Sequence, residues 1–366
     1  MLYSKFVLLF ILIFTLTLNA KPIKIGTSVA LTGPSQALGN NLVAGMKFAF
    51  DDINNQGGIH GSPIQFIVLD DQYNPDKTVR NTMSLINDYK VDILTSFTGT
   101  PTVQRILPLL IKYDKTLFFP FTGSQIFITP PYNDYVKLLR PTYWQELETI
   151  ISYLRSNQYY KVAIFYQLDG YGMNGVSGIR HILSNFNLKP IAEINYKRGK
   201  LFSESFSQEA NLLLKSKPDA IICIASYEAS AGIIRDIRAM QSDIMIANIS
   251  FSDKDSLKSL LIQNAPNSFS NLLHTQVVPE FLDFPILQQY LKETNRYNSV
   301  EFEGYLNAIT LIHILKNTPV KNSIDLQKTF DNLIHSNLAF TDSFHNQIYN
   351  TTYLIKSKNN DWIPIK

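Results

Sequence analysis

Short apolar runs alternate with stretches whose apolar residues recur every three or four positions, almost throughout the chain. "IKIGTSV" at 23–29 reads as a buried strand. In "NNLVAGMKFAFDDINNQGG", Leu42, Met46, Ala49, Phe50 and Ile53 fall on one helical face, and Gly57-Gly58 is a natural stop. "IQFIVLD", a helix from Asp76, "DILTSF", a helix from Pro101 and "TLFFP" continue the alternation. Such β-α-β-α order implies a mostly parallel sheet covered by helices on both faces.

After "RPTYWQE" the alternation restarts. It runs through helix 144–155, "KVAIFY", helix 174–184, "IAEIN", helix 204–215, "AIICIA", helix 228–240 and "IMIAN". Two successive α/β units therefore repeat one architecture. From about 276 the chain adds "FPILQQYLKETN" and "EFEGYLNAITLIHILKN" as helices and "TTYLIK" as a strand, too little for a third unit.

The first twenty residues break the pattern. Lys5, the apolar run Phe6–Leu18 and "LNA" ending at Ala20 have the layout of a secretory signal peptide. The run is shorter than the ~20 residues that span a bilayer. The absence of a cysteine just after it argues against a lipid-anchored form. Of the 366 residues, 33 are basic and 30 acidic, and no basic stripe suggests nucleic acid. The single cysteine, Cys223 in "AIICIAS", rules out an internal disulfide and reads as a small core residue.

Candidate chemistry concentrates at strand ends, where doubly wound sheets collect ligands. In "SFTGTPTVQRILPLL", Thr100 is expected as N-cap and Pro101 as the first helical residue. The N–H groups of Thr102 and Val103 would then be free to meet a carboxylate or carbonyl. The alternative is plain helix capping. "FPFTGSQ" adds Thr122, Gly123 and Ser124 after the next strand. Tyr171 and Tyr227 follow strands of the second unit, each able to stack on a ligand or merely to cover the sheet.

Several motifs carry less. Gly170, Gly172 and Gly175 spell G-x-G-x-x-G, with Glu193 near a ribose-binding distance, but three residues separate the strand from the first glycine. A flexible loop placing Tyr171 at a cleft accounts for the glycines as well. Asp51-Asp52 and Asp70-Asp71 read as solvated ends of elements. Histidines 60, 181, 274, 313, 335 and 345 lack ligand spacing, so no zinc site is expected. "GVSG" around Ser177 is not a nucleophile elbow.

Taken in order, "IKIGTSVALTGP", "GMKFAFDDINNQGGIHGSPIQFIVLDDQYNP", "GTPT", "FPFTGS", "FYQLDGYGMNG", "TQVVPE" and "EFEGYLNA" resemble type I periplasmic binding proteins. The likeness is to the Leu/Ile/Val-binding branch of ABC-transporter solute receptors. That resemblance implies an α/β fold of two doubly wound parallel-sheet lobes joined by a three-crossing hinge. Lobe I would hold 21–141 and 276–340, and lobe II 142–275 with 341–366 returning to it. It further implies a periplasmic, monomeric, non-catalytic protein without cofactor or metal, closing on a small solute and presenting it to a membrane permease. Carried over by position, Thr100 matches the hydroxyl that binds a ligand carboxylate, Thr122, Gly123 and Ser124 adjoin it, and Tyr171 and Tyr227 are second-lobe aromatics.

Two departures stand out. Leu38 occupies an aromatic's place, and Ser250 in "ANISFSD" stands where amino-acid binders put a glutamate against the ligand ammonium. An ammonium enclosed without a negative partner is costly. The solute is therefore left open among an amino acid, an amide, a urea-like compound and a carboxylate. A sensory receptor of the same fold and an exported enzyme are the rival readings.

Overall fold

A computed structural model describes residues 21–281, 284–318, 323–335 and 351–365. The leader and the expected return segment at 341–350 lie outside the described residues. Two sheets organise the molecule. The first has the order β2-β1-β3-β4-β5, from β1 (Ile23–Val29), β2 (Ile64–Asp70), β3 (Ile93–Thr95), β4 (Leu117–Phe118) and β5 (Val136–Lys137), all parallel. The second runs β12-β11-β10-β9-β8-β6-β7. Its parallel strands are β6 (Val162–Gln167), β7 (Ala192–Tyr196), β8 (Ala220–Ile224), β9 (Met245–Asn248) and β10 (Leu272–Gln276). β11 (Tyr353–Lys358) and β12 (Asp361–Pro364) extend its β10 edge antiparallel.

Helices follow the strands for local reasons. α1 (Gln36–Asn55) buries Leu38, Leu42, Met46, Ala49, Phe50 and Ile53. Its end is turned by Gly57 and Gly58, at φ 97° and 78°, a region that favours glycine. Asn54 then pins the start of β2: its Oδ1 accepts from Ile64 N at 2.7 Å and its Nδ2 donates to Ile64 O at 2.9 Å. Asn74 caps α2 (Pro75–Asn87), and α3 (Thr100–Lys112) follows β3. α4 (Tyr143–Ser156) opens on a Thr142–Gln145 capping box, which satisfies two orphan donors reciprocally. Asp169 caps α5 (Gly170–Ser184). α6 (Ser207–Lys215), α7 (Tyr227–Ala239) and α8 (Lys254–Asn264) complete the second lobe.

The later helices α9 (Pro285–Thr294), α10 (Ser299–Asn317) and α11 (Ser323–His335) share a core with the first sheet: Leu287, Phe302, Leu306 and Phe330 cluster with Ile25, Met46 and Phe118. α1 and α10 cross at backbone contact. A Cβ on Gly45 would overlap the Glu301 carbonyl oxygen, and one on Gly304 that of Leu42. The chain passes between sheets after β5 and after β10, and β11 rejoins the second sheet after α11.

Asp71 corrects the reading of a solvated strand end. It is fully buried, accepting from Ser28 Oγ at 2.8 Å, Thr78 Oγ1 at 3.0 Å and Tyr73 N at 2.9 Å. Burial pushes its carboxyl up to about 6, against the pull of those donors. Asp70 instead anchors the Thr-Gly-Pro loop, accepting from Leu31 N at 2.9 Å and Thr32 Oγ1 at 2.5 Å.

Candidate functional site

β3 and β4 end side by side, so Thr98 pairs with Phe121 and Gly99 N donates to Phe121 O at 3.1 Å. Thr100 and Thr122 are thereby brought together, Oγ1 to Oγ1 at 2.8 Å, both fully buried. Thr122 Oγ1 also accepts from Tyr143 OH at 3.2 Å and Ser124 N at 3.3 Å. With both its lone pairs occupied, the Thr122 hydrogen goes to Thr100, and the Thr100 hydrogen ends the relay. The Ser124 and Thr98 hydroxyls are buried without a partner. Gly123 is needed for closeness, since a Cβ would stand 2.7 Å from Pro141 O. Burial is the main cause pushing the Tyr143 phenol up to about 12, so it stays a donor at neutral pH.

The cap differs from expectation. Gly99, at φ 95°, precedes the helix, and Thr100 is its first residue with no capping bond from its side chain. Val103 N is not free, because it donates to Gly99 O at 3.2 Å. The reason is steric: a side chain at 99 would overlap the Tyr73 ring, so glycine takes the capping place and Thr100 turns inward.

Aromatic rings from both lobes meet beside this relay. Phe251, between β9 and α8, lies 4.6 Å from Tyr171, 5.8 Å from Phe121, 6.1 Å from Tyr73 and 6.3 Å from Tyr143. Leu38 belongs to the same apolar cluster. Tyr171 is not on a flexible loop. It sits in the first turn of α5, fully buried, with Asp169 Oδ1 accepting from its N–H at 3.0 Å. The three glycines serve packing: Cβ atoms at 170, 172 and 175 would strike Gln104, Gln167 and Ile224. Tyr227 lies apart from that group, at the start of α7 and within reach of the Ala37 backbone at the start of α1. Burial pushes its phenol up to about 12.

Ser250 marks the opposite, charged end. Its N and Oγ donate to Glu146 at 2.7 and 2.9 Å, Thr275 Oγ1 donates to the same carboxylate at 2.5 Å, and Arg140 Nη2 donates to Ser250 Oγ. A carboxylate thus stands beside Ser250 after all, supplied by α4. Reasoning from residues missed Arg140, Tyr143, Glu146, Phe251 and Glu303, whose Oε1 lies 3.3 Å from Arg140 Nη1. The available signal was "RPTYWQE", which places an arginine and a glutamate around a helix start.

A family profile described as "Periplasmic binding protein" matches residues 22–324. The chain belongs to the periplasmic binding protein family. Its type I fold is shared with solved structures. A possible leucine/isoleucine/valine-binding protein from Rhodopirellula baltica superposes with a TM-score of 0.82 at 21% identity, covering 95% of this chain and 97% of that one. A branched chain amino acid ABC transporter protein from Thermus thermophilus with bound valine gives 0.81 at 16%, covering 95% and 96%. A fatty acid ABC transporter substrate-binding protein from Thermomonospora curvata gives 0.80 at 18%, covering 94% and 92%. A search of curated proteins gave no match. In this periplasmic binding protein, the relay and the aromatic rings lie where the two lobes face each other.

Proposed function

We propose that this periplasmic binding protein is the exported, monomeric solute receptor of an ABC uptake system, handing a small solute to a membrane permease in the periplasm. We assign lobe I residues 21–141 and the described residues of 276–340, and lobe II residues 142–275 and the described residues of 341–366. The observation that carries this reading is the relay Thr100–Thr122–Tyr143, which ends on a donor beside the unpartnered Ser124 hydroxyl and under rings from both lobes. A terminal donor suits a carboxylate or an amide carbonyl. Thr122, Gly123 and Ser124 shape that subsite, Tyr171 walls it, and Tyr227 reports closure against α1. Ser250 holds Glu146 rather than the solute. Glu146 is already engaged by Arg140, Ser250 and Thr275, which favours solutes without an ammonium, an amide or a simple carboxylate, over an amino acid.

Native mass spectrometry of the mature chain, then thermal-shift screening of amino acids, amides, urea-like compounds and short carboxylates, tests it. A true solute stabilises the folded chain by mass action, by about 2.7 kcal/mol at a hundredfold excess over Kd, and so raises the melting temperature. Thr122→Val and Tyr227→Phe keep volume and are expected to shrink that ligand shift. Retention of the full shift by both variants, or turnover of the solute, refutes the reading.

A further inference from the structure

Arg140 stands where the chain first leaves the lobe I sheet, and its guanidinium is buried against the Phe121 ring at 4.5 Å. Its Nη1 lies 3.3 Å from Glu303 Oε1 on α10 of lobe I, and its Nη2 lies 3.7 Å from Glu146 Oε1 on α4 of lobe II. Nε and Nη1 make no hydrogen bond. Glu146 is saturated by Ser250 and Thr275, whereas Glu303 faces a crevice of about 10 Å³, room for one water, shared with Lys254, His274 and Gln276. One cation therefore joins carboxylates of both lobes at the crossing between them.

We propose that Arg140 forms a brace across the hinge, from Glu303 in lobe I to Glu146 in lobe II, and that closure of the lobes is linked to proton binding at Glu303. The inference rests on the two-lobe reading above. Burial pushes the Glu303 carboxyl up to about 7, Arg140 opposing and Glu146 adding to the rise. Opening hydrates the group and returns it toward the ordinary ~4.3 of a glutamate. Between those limits the open form is ionised and the closed form protonated, so closure takes up a proton. Each pH unit gained then weakens closure up to about tenfold, with no further change above about 7.

The other titratable groups lining that crevice do not titrate in that window. Burial holds His274 down to about 3, and Lys254 is paired with Asp255 and Glu280. Tyr297 is raised well above the ordinary phenol range, chiefly by burial. Asp253, pushed up to about 6 by burial, bonds to Asp255 and Ser256 within lobe II and does not span the hinge.

The test is a spin-label distance between Met83→Cys on α2 and Leu212→Cys on α6, both exposed, at pH 5, 6, 7 and 8; Cys223 is buried and escapes labelling. The wild type should lose closed population up to about tenfold per unit between pH 5 and 7, then level off. Glu303→Gln should hold the pH 5 distribution throughout. Identical profiles in the two proteins overturn the brace. Should Glu303→Gln not fold, a wild-type distance constant from pH 5 to 8 overturns it alone. If a solute from the screen moves the lobes while pH does not, only the brace fails. If neither moves them, the two-lobe reading fails with it.

Discussion

Glu146→Gln is the most informative single change, because it keeps the volume and removes one buried charge. Three donors converge on this carboxylate, from Ser250 N at 2.7 Å, Ser250 Oγ at 2.9 Å and Thr275 Oγ1 at 2.5 Å. An amide oxygen at the Oε2 place keeps the bonds from Ser250 N and Thr275 Oγ1, which leaves the amide nitrogen at the Oε1 place facing Ser250 Oγ and the Arg140 guanidinium. Ser250 Oγ must then reverse to accept, and Arg140 meets a donor where it had a negative charge. Hydrogen bonds to charged groups contribute about 1.5–3 kcal/mol each. Arg140 also loses its lobe II counter-charge in a buried site. Breaking a buried pair costs about 3–5 kcal/mol, and that is the destabilisation expected of lobe II. Urea unfolding followed by tryptophan fluorescence is the assay, since Trp144 on α4 and Trp362 on β12 both report on that lobe. A midpoint shift worth under about 1 kcal/mol, at unchanged slope, would refute the account of the charged end.

Two further outcomes are expected. Gly45→Ala forces α1 from α10, because its Cβ meets the Glu301 carbonyl rather than a side chain that can yield. Overpacking costs about 1–3 kcal/mol and the helix regains about 1 from alanine, so a net loss of up to about 2 kcal/mol should appear in urea. His274 is held down to about 3 by burial, with Ser252 Oγ 2.9 Å from Nε2. A depressed histidine contributes stability that is present above about 6.5 and lost as pH falls, at up to ~1.4 kcal/mol per unit. His274→Gln should therefore flatten the acid limb of stability between pH 6 and 4, measured by urea midpoints; an unchanged limb refutes the assignment.

Periodicity in the sequence located most elements. The α1 face from Leu42 to Ile53, the Gly57-Gly58 stop and the first three strands stand within a few residues of where the pattern put them. Helix starts were less legible. α5 begins at Gly170, before the expected 174, because Asp169 caps a run of glycines that looks like a loop in one dimension. β5 and β12 are too short to show a period, and α8, α11 and most of β10 were not anticipated. The hydroxyl residues of the candidate site were visible because strand ends carry ligands in such sheets. Arg140, Glu146 and Glu303 were not, because Glu303, Ser250 and Thr275 lie far in sequence from the 140–146 stretch and only folding brings them to one crossing.

The closing strands of the second sheet set an order on assembly. β10 presents one edge to β9 and the other to β11, so that edge stays bare until residues 353–364 arrive. A chain emerging amino end first can build the β6–β10 portion early, yet carries an unpaired strand awaiting its own tail. Such edges invite foreign pairing. Truncation before Tyr353 would therefore damage solubility as much as stability, through the neighbour that the tail normally shields.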